Sequence, residues 1–127
     1  MYEYQARCVE VVDGDTQDVV VDLGFHIQRR IRLRLAGVDT HETYGVDHDS
    51  EEFRRGKEET EFVAEWLNEA AAQHDGEWPL LIRTAKKGKY GRYLATIERR
   101  ADDAVLNETL RQEFDGVDAR DGDQEGS

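Results

Sequence analysis

Between Gln28 and Leu35 the chain alternates without a break: Arg30, Arg32 and Arg34 against Ile31, Leu33 and Leu35. A period of two puts the arginines on one face of a strand and the aliphatic side chains on the other. A strand of this kind needs a sheet with one face in a core and the other wet. The neighbouring sequence agrees. Tyr2 to Cys8 alternates, and Val9 to Val12 keeps the β-branched bias. Asp13-Gly14-Asp15 is turn chemistry. Thr16 to Leu23 reads as a second strand that breaks at Gly24.

After the polar stretch Asp39 to Ser50 the period changes. Phe62, Trp66, Leu67 and Ala70 fall at i, i+4, i+5 and i+8, which is one face of a helix. The charge run from Glu51 to Glu69 reads as the solvated remainder of that helix. His74-Asp75-Gly76 ends it, and Pro79 prevents continuation. Leu80 to Thr84 and Tyr93 to Glu98 are two further strands, and Val105 to Phe114 is a short second helix. The expected class is α+β and mainly β. Five short strands, a helix inserted after strand 3 and a short C-terminal helix suggest a five-stranded Greek-key barrel of the OB type. A split βαβ sandwich is the rival. At 127 residues one domain is expected, over residues 1–114. Residues 115–127 are acidic, glycine-rich and nearly without apolar side chains, the signature of a disordered tail.

Charge bounds the function. There are 29 Asp and Glu against 17 Lys and Arg, a formal net charge of -12. Such a chain is a poor generic coat for nucleic acid, because phosphates repel it at long range. The acid is unevenly placed, however. Trp78 to Arg99 holds Arg83, Lys86, Lys87, Lys89, Arg92 and Arg99 against the lone Glu98. A basic island in an acidic protein is a natural seat for an anion. No run of apolar residues is long enough to span a membrane. The N-terminus MYEYQARCVE has no apolar signal region, so a cytoplasmic setting is expected. The single Cys8 allows no internal disulfide and reads as a small buried hydrophobe.

The candidate chemistry lies at two strand ends. Asp15 closes the Asp13-Gly14-Asp15 turn, and Asp39-Thr40-His41-Glu42 follows the third strand. Hard divalent cations take oxygen ligands. Two strand-end aspartates and a carbonyl can supply an open site of that kind. Arg34 sits five residues before Asp39, and Arg92 lies in the basic island. Guanidinium groups grip phosphate oxygens with two parallel hydrogen bonds, which lysine cannot do. If the two arginines converged on a metal held by Asp15 and Asp39, Glu42 could take a proton from an attacking water. His26, His48 and His74 have no ligand spacing and read as surface residues.

Four motifs occur in a fixed order: Val11-Val12-Asp13-Gly14-Asp15-Thr16, then Arg32 to Thr43 (RLRLAGVDTHET), then Lys89-Tyr90-Gly91-Arg92, then Leu106-Asn107-Glu108-Thr109-Leu110. In this the chain resembles the staphylococcal-nuclease-like (thermonuclease) family over roughly Tyr4 to Phe114. The resemblance implies a Ca²⁺-dependent nuclease that hydrolyses DNA or RNA with little sequence preference. It implies Asp15, Asp39 and the Thr40 carbonyl as metal ligands, Arg34 and Arg92 on the phosphate, and Glu42 on the attacking water. Lys89 and Tyr90 match residues beside a terminal phosphate, and Asn107 matches a structural anchor. The alternative is a barrel of the same superfamily kept as a nucleic-acid or protein-binding module. The chain departs from the family in having His41 where proline is usual, read as an exposed turn residue. It also lacks the C-terminal tyrosines and third helix. A monomer is expected, unless a partner completes the C-terminus at Phe114.

Only Lys57, Lys86, Lys87 and Lys89 are lysines. Acid excess with little lysine suits strong salt, which screens self-repulsion, and points to a halophilic host. The melting temperature is therefore expected to rise between low and molar KCl. Equal melting in both would contradict this reading.

Overall fold

The computed structural model describes residues 2–87 and 93–118, with the backbone alone for residues 85–87. The elements are β1 (Tyr2–Asp13), β2 (Thr16–Asp22), β3 (Gln28–Leu35), α1 (Glu51–Gln73), β4 (Leu80–Lys87), β5 (Tyr93–Arg99) and α2 (Leu106–Glu113). The strands close into a barrel in the order β1-β2-β3-β5-β4. All pairs are antiparallel except β3 with β5. This is the mainly-β barrel of the OB type that the strand count and inserted helix suggest, and not the split sandwich.

Closure depends on β1. Its first half pairs with β4, from Tyr2 opposite Thr84 to Ala6 opposite Leu80. Its second half pairs with β2, from Ala6 opposite Val21 to Asp13 opposite Thr16. Irregularities between Cys8 and Glu10 and between Val11 and Asp13 bend the strand between its two partners. The inward face carries Ala6, Val19, Val21, Leu33, Leu35, Ile82 and Ile97, all buried. α1 is capped by Ser50, whose Oγ accepts from Phe53 N at 3.1 Å, with Glu51 and Glu52 favourably placed in its first turn. Val63, Trp66, Leu67 and Ala70 bury its apolar stripe in the same core as Leu106 and Leu110 of α2. Cys8 is only partly buried, contrary to the sequence reading, and that burial pushes its thiol up to about 11.

The outward face of β3 divides its arginines between two duties. Arg32 Nε donates to Asp18 Oδ1 at 2.7 Å, and Arg30 Nη2 to Asp18 Oδ2 at 3.0 Å. These bonds, Arg32 first, hold the Asp18 carboxyl down at about 2. Arg34, at the far end of the strand, makes other contacts.

Ordered contacts continue beyond Phe114, where the sequence places the domain end. Asp39 N donates to Val117 O at 2.7 Å, and Val38 and Asp118 form an isolated bridge. Val117 is fully buried. One valine in an acidic stretch thus joins the same core cluster as Leu106 and Leu110. Residues 119–127 lie outside the described residues. Phe114 packs edge-on against Phe62 at 5.4 Å, inside the same chain.

Asn107 ties α2 to the barrel. Its Oδ1 accepts from Ile97 N at 3.1 Å, and its Nδ2 donates to Ala36 O at 2.8 Å and Ala95 O at 3.1 Å. Asn107→Ala leaves three backbone groups without these partners and is expected to cost about 2–4 kcal/mol. Urea unfolding measures it, and a loss below about 0.5 kcal/mol would contradict the anchoring role.

Candidate active site

Asp15, Arg34 and the loop after β3 meet because of strand register. Thr16 lies opposite Arg34 across β2 and β3, and Leu35 N donates to Asp15 O at 2.8 Å. The start of β2 and the end of β3 are thus one place. The Asp13-to-Thr16 turn also closes against the loop. A Cβ on Gly14 would stand 2.7 Å from Thr40 Cγ2, so only glycine admits Thr40 there.

Asp15 is buried and fully engaged. Its Oδ1 accepts from Thr16 Oγ1 at 3.0 Å, and its Oδ2 from Thr40 N at 3.1 Å. Arg34 Nη1 stands 3.5 Å from Asp15 Oδ2, and Arg34 Nη2 stands 3.5 Å from Asp39 Oδ1. Arg34 is steered by a bond from Nη1 to Val38 O at 2.8 Å. Residues from a turn, a strand end and a loop are therefore gathered round one guanidinium. Glu42 is exposed beyond them, and its N–H donates to Glu52 Oε2 at 2.6 Å. Asp39, Thr40, His41, Glu42, Glu52 and Asp118 line a cleft of about 280 Å³.

The geometry brings together Asp15, Arg34, Asp39 and Thr40, with Glu42 along the same cleft. Arg92, Lys89 and Tyr90 lie outside the described residues. The chain re-enters the sheet at Tyr93, opposite Leu33 and one position before the Arg34–Leu94 pair. Among the described residues, no three His, Cys, Asp or Glu side chains form a metal-holding group. The two carboxylates at hand are Asp15 and Asp39, both beside Arg34. Carboxylate oxygens are the ligand type that a hard cation such as Ca²⁺ takes.

Two readings of the sequence need correction. His41 is not an exposed turn residue, since its side chain is only 17% exposed. Its N donates to Glu59 Oε1 at 2.7 Å, and its Nδ1 pairs with Glu59 Oε2 at 2.8 Å. Glu59 in turn is not part of a solvated face, being 1% exposed. The signal was present. Glu59 precedes Val63, Trp66 and Ala70 by four, seven and eleven residues, which places a carboxylate on the apolar stripe.

No protein-family model matches this chain, and no curated protein matches it either. The likeness to the thermonuclease family rests on the four motifs.

Negative charge is concentrated here. Burial first, and then the adjoining Asp15 carboxylate, push Asp13 up from the ordinary 3.8 to about 7, with Glu42 adding to the same effect. A raised value means that the folded state holds the proton more tightly than the unfolded chain. Its stabilising effect is complete below about pH 4 and is lost as pH rises through about 7. Asp13→Asn is therefore expected to flatten the fall in stability between pH 4 and 7, measured by melting in chelator. An unchanged pH profile would contradict the clustering of charge.

Proposed function

We propose that this barrel is a Ca²⁺-dependent phosphodiesterase that hydrolyses nucleic acid. The observation that carries the reading is Arg34, 3.5 Å from both Asp15 and Asp39 where β2 and β3 meet. Asp15, Asp39 and the Thr40 carbonyl would hold the cation. Bound there, Ca²⁺ would supply positive charge against the negative charge that builds on the phosphoryl oxygens.

The chain's own residues account for the rest. Arg34 and Arg92 grip the phosphoryl oxygens with planar forks and stabilise the five-coordinate transition state. Glu42 takes a proton from water as its oxygen attacks phosphorus, and the opposite P–O bond breaks with its electron pair leaving on oxygen. Lys89 and Tyr90 receive the terminal phosphate. Few protein carboxylates on the cation imply weak affinity, on the order of 10⁻⁴–10⁻³ M. The net charge of -12 opposes encounter with DNA at low salt, so screening should first speed the reaction. The reading carries a monomer, no membrane partner and the cytoplasmic, halophilic setting with it.

Purified protein in millimolar Ca²⁺ is expected to degrade single-stranded DNA across a KCl series and to stop in chelator. Arg92→Lys and Arg34→Lys should each remove most of the rate, since the two-pronged grip is lost. DNA left intact but still bound would favour the binding-module alternative. DNA neither cut nor bound would sink both.

A further inference from the structure

We propose that Glu59 of α1 is a positioning residue for the loop that carries Asp39, Thr40 and Glu42, and that it acts through His41. The inference rests on the nuclease reading for its consequence, though not for its geometry.

Loop 39–43 has no strand or helix of its own to fix it. α1 does the fixing, along one face. Glu52, Gly56 and Glu59 stand at i, i+4 and i+7, so they line up on the same side of the helix. Each meets the loop. Glu52 Oε2 accepts from Glu42 N at 2.6 Å. A Cβ at Gly56 would stand 2.5 Å from His41 O and 2.8 Å from Thr43 Cγ2, so the bare helix backbone is what lets the loop lie against it. Glu59 receives His41 twice, through the backbone N–H at 2.7 Å and through Nδ1 at 2.8 Å.

Glu59 is the strongest of the three restraints. A carboxylate that is 1% exposed needs donors for its oxygens. Both oxygens find theirs on a single residue, so any slip of His41 strands a buried charge. The other edge of the imidazole faces Gly116, whose Cβ position would lie 3.6 Å from His41 Cε1. The ring is thus wedged between α1 and the C-terminal segment. One residue before it, Thr40 N is bonded to Asp15 at 3.1 Å, and one residue after it is Glu42. Fixing His41 therefore fixes the spacing between the metal carboxylates and the water-activating carboxylate.

Glu59→Leu removes both bonds at similar volume. Glu59→Gln can keep both, accepting from His41 N–H and donating to Nδ1. His41→Ala removes only the ring bond and serves if the leucine variant does not fold. Amide hydrogen exchange at residues 40–42 and Ca²⁺ affinity by calorimetry need no turnover, and kcat and KM on single-stranded DNA complete the set. Glu59→Leu is expected to speed exchange at His41 and weaken Ca²⁺ by about tenfold each, the weight of a hydrogen bond to a charged group. It should lower kcat more than it raises KM, and Glu59→Gln should return all values to near wild type. Wild-type exchange and Ca²⁺ affinity in both Glu59→Leu and His41→Ala would overturn the proposal, as would faster exchange with Ca²⁺ affinity and kcat unchanged. If the wild-type protein fails to cut DNA, the nuclease reading falls, while exchange and Ca²⁺ affinity still decide whether Glu59 positions the loop.

Discussion

The carboxylate of Asp15 is the fixed point where β2, β3 and the loop after β3 meet. One oxygen takes Thr16 Oγ1, the other takes Thr40 N, and Arg34 stands 3.5 Å away. These contacts join the start of β2, the end of β3 and the loop beyond it. A buried carboxylate is tolerated only when it is hydrogen-bonded and faces positive charge. The loop amide and the guanidinium meet that requirement, and in doing so they place Thr40 and Asp39. Asp15 thus ties two strand ends to the loop, which Glu52 and Glu59 of α1 hold as well.

The same logic orders the arginines. Asp18 engages Arg30 and Arg32 on the outward face of β3, while Arg83 is held by Glu3 at 2.8 Å and Glu98 at 3.1 Å. Arg34 differs in that its carboxylate neighbours are the two that the proposed chemistry assigns to a cation. An added cation there would compete for those carboxylates and free the guanidinium for phosphate. The net charge of -12 then describes the bulk surface, including the exposed face of α1 with its ion pairs from Arg54 and Arg55 to Glu51. It says little about the local field at the site.

The strands were legible because their alternation is unusually clean. Ile31, Leu33 and Leu35 turn inward as the pattern requires, and β3 has the bounds that the pattern suggests. The barrel topology was legible mainly through the order of elements. What sequence periodicity missed were two polar residues with tertiary partners. His41 and Glu59 are 18 residues apart, and neither has meaning alone. A charge run hides a buried glutamate unless each position is assigned to a helix face. Val117 was missed for a related reason, since average composition over a tail conceals a single apolar side chain that fits the core.

The central claim is that Asp15, Asp39 and Arg34 form one site for a cation and a phosphate together. Calorimetric titration of Ca²⁺, with and without a nucleoside 3′,5′-bisphosphate at high KCl, tests it most directly. Because the two ligands would share the site, each should raise the affinity for the other by about 5–150-fold. Equal Ca²⁺ affinity in the presence and absence of the bisphosphate, or no binding of either, would contradict the account.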